Sequence, residues 1–202
     1  STAPAGSLPG STSQQAATVS RDEALGRSQR VQIETNAVAG SINLNGARLD
    51  DIRLKDYRET VDDSSPIITL FSPSDTKDGY FTELGFIAGD AVGTVPGPST
   101  VWTAPEGAKL TEKTPVTLSF TNEKGIVFNR TLAIDEHYMI SVTDKIENPG
   151  QEPVSFSTYG RITRNNKPAT PAVFVIHEGF LGVGGLLLQD LHVAEGCVGQ
   201  AL

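Results

Sequence analysis

From Arg30 onward, apolar and polar residues alternate with period two, the spacing of half-buried β-strands. Val31, Ile33 and Thr35 mark a first strand. Ile42 and Leu44, then Ala47 and Leu49, flank Asn45-Gly46, the preferred two-residue hairpin turn. That turn would set Leu44 opposite Ala47 and Ile42 opposite Leu49, with all four side chains on one face. Ile52 and Leu54 are shifted in parity from Leu49, which predicts a bulge or corner at Asp50-Asp51. Residues 67–72 and 82–88 read as buried strands. Residues 89–107, with Pro96, Pro98 and Pro105 around Trp102, read as a long loop with one short strand.

A second hairpin spans residues 116–134. Val116, Leu118 and Phe120 share one parity, and Asn122-Glu123-Lys124-Gly125 suits a type I turn with glycine in the left-handed bulge position. Ile126, Phe128, Leu132 and Ile134 continue the stripe; Arg130 interrupts it and is placed near the sheet edge. Tyr138, Ile140, Val142 and Ile146 alternate with Ser141, Thr143 and Lys145. Asn148-Pro149-Gly150 then turns the chain into a strand over 154–163. Residues 172–177, an unbroken apolar run, fit a strand covered on both faces. The expected architecture is all-β, with two packed antiparallel sheets.

The pattern divides the chain into three parts. Residues 1–18 are small and polar, and 1–29 read as a flexible tether. The tether ends in a short helical turn over 20–28, opened by the capping box Ser20-Arg21-Asp22-Glu23. Residues 30–182 form the β-sandwich, and 183–202 form a divergent tail that is either helical or artefactual.

The composition, with 20 Gly, 12 Pro and 38% hydrophobic residues, agrees with many short strands. A net charge of -8 argues against a nucleic-acid partner, which needs clustered Lys and Arg. The single cysteine, Cys197, excludes an intrachain disulfide and a cysteine-rich zinc site. No apolar run approaches the roughly 20 residues that span a bilayer. Met139 is the only methionine, so a segment upstream of Ser1 is expected.

Candidate chemistry is sparse. No serine lies in a nucleophile-elbow context, and His177-Glu178 begins like a zinc-hydrolase motif but has Leu181 in place of the second histidine. Asp135-Glu136-His137 could serve acid/base work or a hard cation, but adjacent strand residues point to opposite faces, so a solvated turn is the simpler reading. Asp50-Asp51 and Asp62-Asp63 likewise read as turns. Tyr159, Arg161 and Arg164 could contact an anion or a sugar; strand-end surface residues is the plainer assignment. No catalytic, cofactor-binding or metal-binding residue is assigned.

Taken in order, VQIET at 31–35, GSINLNGARLDDIRLKDYRET at 40–60, VPGPSTVWTA at 95–104, STYGRITRNNKP and VFVIHEG resemble the large periplasmic domain of the YidC family of bacterial membrane protein insertases, of alphaproteobacterial type. The resemblance runs from about Ser20 to Gly182. It implies a twisted antiparallel β-supersandwich, galactose mutarotase-like in shape, exposed to the periplasm and attached to the bacterial inner membrane through segments outside this chain. It also implies an accessory, non-catalytic interaction role in inserting and folding inner-membrane proteins, alone or with the Sec translocon. The partners would be Sec components and nascent inner-membrane proteins, reached through the full-length insertase. Residues 185–202 do not follow the family pattern, which would leave the sandwich short of its last strands. Two other readings stay open. One is a sugar-binding or mutarotase-like protein using His137, His177 and Glu178; the other is a binder of extended polypeptide that pairs a free sheet edge with its clients.

Overall fold

The computed structural model describes residues 18–166 and the backbone of 197–201. The expected strand over 172–177, with His177 and Glu178, lies outside the described residues. Helix α1, Arg21–Gly26, opens as its sequence predicts, with the Ser20 hydroxyl accepting the Glu23 N–H at 3.3 Å. Glu23 does not close a reciprocal box; its carboxylate takes Arg27 one turn on.

Alternation then builds a large sheet from β1 (Arg30–Glu34), β2 (Val38–Asn43), β3 (Arg48–Arg58), β4 (Ile67–Phe71), β5 (Tyr80–Ala88), β6 (Lys109–Leu110) and β10 (Phe156–Arg164). Its order is β10-β5-β3-β2-β1-β6, with β4 also paired to β3. A smaller sheet has the order β11-β9-β8-β7, from β7 (Val116–Thr121), β8 (Val127–Ile134), β9 (Ile140–Glu147) and β11 (Cys197–Ala201). Within the tail, β11 is therefore a strand. All pairings are antiparallel except β1 with β6, which the chain reaches only after crossing the sheet. The inward faces share one core, in which Ile33, Ile42 and Leu49 meet Leu118, Phe128 and Leu132.

The first hairpin keeps its expected register, with Ile42 opposite Leu49, but not its two-residue turn. The ladder ends at Asn43 and Arg48, and positive φ falls on Gly46 and Ala47. The reason is tertiary. The Gly46 N–H donates to Thr100 O at 2.7 Å, and the Leu44 carbonyl accepts the Trp102 N–H at 2.9 Å, so the turn bonds to the neighbouring loop instead of closing on itself. That loop, 89–108, forms no strand of its own; the isolated bridges Asn45–Val101 and Thr103–Ser119 seat Trp102 in the core from both sides.

The predicted bulge is present: Ser41 pairs Asp51 and Ile42 pairs Leu49, which leaves Asp50 as the extra residue. Gly40 lies opposite, where a Cβ would collide with the Asp51 carbonyl. The second hairpin follows its reading, with Gly125 at φ +79° and Phe120 opposite Phe128. Two further expectations fail. The strand at 67–71 is half-buried to exposed, because it pairs the far half of β3, where β3 itself becomes exposed. Arg130 is not at an edge; β8 lies between β7 and β9, and the side chain is buried between the sheets.

Candidate functional site

The outward face of the large sheet carries a layer of paired charge. Asp50 and Asp51, read from sequence as a turn, lie within β3 and are almost fully buried, 1% and 6% exposed. The bulge turns both carboxylates into this layer. Asp50 takes the Arg30 guanidinium and the Asn43 amide, the latter at 3.1 Å. Asp51 takes Arg21 from α1 and the Ser41 hydroxyl at 2.6 Å. Further along, Glu83 is held between Arg48 and Arg161, and Arg48 reaches Ser74 at 3.3 Å. Each buried carboxylate thus has a guanidinium partner, as burial of charge requires. These groups are committed to one another, and the arrangement fixes α1 and the 72–79 loop against the sheet.

The other sequence candidates do not converge. The Asp135 carboxylate accepts the His137 and Met139 N–H groups at 2.8 and 2.9 Å, which makes 135–139 a capped turn. His137 and Glu136 are exposed, 4.0 Å apart. Asp62 caps its own turn through the Ser64 N–H and hydroxyl. Arg161 pairs with Glu83, while Arg164, of opposite parity on β10, lies over the Tyr80 ring at 4.8 Å. Among the described residues, no group of three His, Cys, Asp or Glu side chains is arranged to hold a metal. Of the displaced titrations, that of Tyr138 is the largest: the hydrogen bond to Asp56, 2.6 Å, and partial desolvation push the phenol up to about 12.

Sequence reasoning missed Glu83, Arg48 and Asp144. A signal existed for Asp144, which shares parity with Val142 and Ile146, as Arg130 does with Phe128 and Leu132. Charges of opposite sign on the inward parity of successive hairpin strands are placed to meet.

One surface cleft, about 420 Å³, is walled by Thr69 and Leu70 of β4, Tyr80 of β5, Arg164 of β10 and Arg21 of α1, with Val19, Glu59, Lys77 and Asp78 also in its lining. Residues near both ends of the described 18–166 segment lie beside it. The Val19 N–H donates to Asp75 O at 3.1 Å, and the Asn165 side chain donates to Ser74 O and Thr76 O at 2.8 and 3.1 Å.

Comparison with known proteins decides the family. The profile of the YidC periplasmic domain matches residues 30–191. The chain belongs to the YidC periplasmic domain family. The chain is similar to proteins named Membrane protein insertase YidC from Agrobacterium fabrum, 73% identical over 83% of this chain, and Rhizobium johnstonii, 69% identical over 85%. A Brucella suis protein of the same name is 50% identical over 92% of the chain. The match covers 28%, 29% and 31% of those relatives, so the chain spans less than a third of their length. Among the described residues no helix is long and apolar enough to cross a membrane.

Proposed function

We propose that this chain is the periplasmic accessory domain of a membrane protein insertase. The whole protein would sit in the bacterial inner membrane and insert and help fold inner-membrane proteins, alone or with the Sec translocon. The family match over residues 30–191 carries the reading. The domain contributes binding rather than chemistry. Its buried carboxylates are neutralised by arginines, and the one histidine among the described residues, His137, faces solvent in a turn. The groups a sugar site would need are not brought together among the described residues.

The test is an immunoblot of native cells with antibody raised to this chain, combined with alkaline extraction of membranes. A band several times heavier than 21.4 kDa that resists extraction supports the reading. A soluble band near 21.4 kDa would refute it. Depletion of the protein followed by pulse-labelling then separates the roles: loss of inner-membrane protein insertion, with soluble export intact, is the expected result.

A further inference from the structure

Asp56 and Tyr57 lie on the far half of β3, past its last paired residues with β2, Val38 and Leu54. Tyr138 lies in the 135–139 turn between β8 and β9, which belong to the other sheet. Its backbone is left-handed, φ +70°, an uncommon setting for a bulky side chain. Contact across the two sheets is what accompanies this backbone. The Tyr138 ring stands 5.8 Å from the Tyr57 ring, centre to centre, tilted by 54°, and its hydroxyl donates to Asp56 at 2.6 Å. After Asp56 and desolvation, Tyr57 also raises the Tyr138 pKa, by charge and by hydrogen bonding, so the hydroxyl ends of the two rings are neighbours. The ortho carbons beside those hydroxyls are then close as well, and they carry much of the spin in a phenoxyl radical.

The chain has four tyrosines. Tyr80 is edge-on to Phe71 at 4.9 Å, with the Arg164 guanidinium over its ring, and the Tyr159 ring lies where a Cβ on Gly85 would point. Among the described residues, Tyr57 and Tyr138 are the one tyrosine pair in ring contact. The surroundings suit removal of an electron from each. The Asp56 carboxylate is within hydrogen-bond reach of the Tyr138 phenol and can take its proton as the electron leaves, which avoids a charged phenol radical. Tyr57 is 52% exposed, so its ring can release a proton to water and tilt toward its neighbour.

We propose that Tyr57 and Tyr138 are an oxidative modification site, joined as dityrosine by a one-electron oxidant such as a peroxidase haem or a photo-oxidised metal complex. One electron passes from Tyr138 to the oxidant and its phenolic proton to Asp56; a second electron and a second proton leave Tyr57. The two phenoxyl radicals form a carbon–carbon bond between ortho positions, and the hydrogen on each of those carbons moves to its phenol oxygen. In all, the oxidant gains two electrons, the solvent gains two protons, and the product is lighter by two hydrogens. The new bond fastens the far half of β3 to the β8–β9 turn of the small sheet. The proposal goes beyond the insertase reading. Its test uses the purified chain alone, so its failure leaves that reading standing.

The purified chain, dilute and at neutral pH, is illuminated with a ruthenium(II) polypyridyl complex and a cobalt(III) ammine as the electron acceptor. This pair spares the exposed Met139 thioether the oxygen transfer that peroxide would bring. Dityrosine fluorescence should rise while the chain stays monomeric and loses two hydrogens in mass, and digestion should give one linked pair of peptides, carrying Tyr57 and Tyr138. Tyr57→Phe and Tyr138→Phe should each cut this product at least tenfold, and Tyr159→Phe should leave it unchanged; circular dichroism checks that each variant is folded. Asp56→Asn keeps an acceptor for the hydroxyl but is a far weaker base. It should slow the reaction severalfold and alter the slowing that the parent chain shows in heavy water. Cross-links confined to pairs of molecules, or spread equally over Tyr80 and Tyr159, overturn the proposal. So do tyrosyl radicals that can be trapped without a Tyr57–Tyr138 bond forming, and an Asp56→Asn rate equal to that of the parent.

Discussion

Arg130 and Asp144 face each other across β8 and β9, and the guanidinium grips the carboxylate with two hydrogen bonds, 2.7 and 2.8 Å, while its third arm donates to the Leu84 carbonyl of the opposite sheet at 2.8 Å. The Trp102 ring lies 5.1 Å from the same guanidinium. One buried cation thus ties the two layers together. Removing it as Arg130→Met strands the carboxylate and should cost about 3 kcal/mol. Replacing both partners with leucine should recover most of that loss, because an apolar pair carries no desolvation penalty. Urea unfolding of the two variants decides between these outcomes.

Helix α1 is fastened by Arg21, which reaches Asp51, the Ser72 hydroxyl and the Phe71 carbonyl. Arg21→Ala should cost about 2 kcal/mol, the scale of charged hydrogen bonds. Amide exchange should quicken over 21–27 and 71–76 and stay unchanged over 116–134.

Gly40 permits the bulge at Asp50, since any Cβ there would overlap the Asp51 carbonyl. Gly40→Ala should destabilise by roughly 2–4 kcal/mol through backbone displacement. Thermal unfolding checks it, with Gly26→Ala, where a Cβ meets nothing within 4 Å, as the control.

The raised pKa of Tyr138 has a defined sign. Its neutral phenol is favoured in the folded chain by donating to Asp56, so the contribution to stability is complete below the ordinary value of about 10 and is lost as pH rises through about 12. Asp56→Asn should return the phenol toward about 10 in an ultraviolet absorbance titration.

Period-two alternation was enough to read most strands, because a sheet with one wet face writes its burial into every second residue, as in Val31 and Ile33 or Phe128 and Leu132. The same rule misplaced Arg130 and Asp50. It treats charge as a mark of solvent, whereas here each charge is buried against a partner from another strand, a fact that lies in the register and not in either segment. The turn at Asn45-Gly46 misled for a related reason: its backbone is bonded to residues 100 and 102, more than fifty positions away. β4 was legible only as an apolar run, since sequence cannot say which strand it pairs.

The 73–79 excursion holds Val19 through Asp75 and Asn165 through Ser74 and Thr76. Tension applied between residues 18 and 166 therefore has a short path across this one loop. The load falls first on a few hydrogen bonds in series, one from the Val19 backbone and two from the Asn165 side chain. Small pulls on the flanking segments would open the loop first and leave the core at rest.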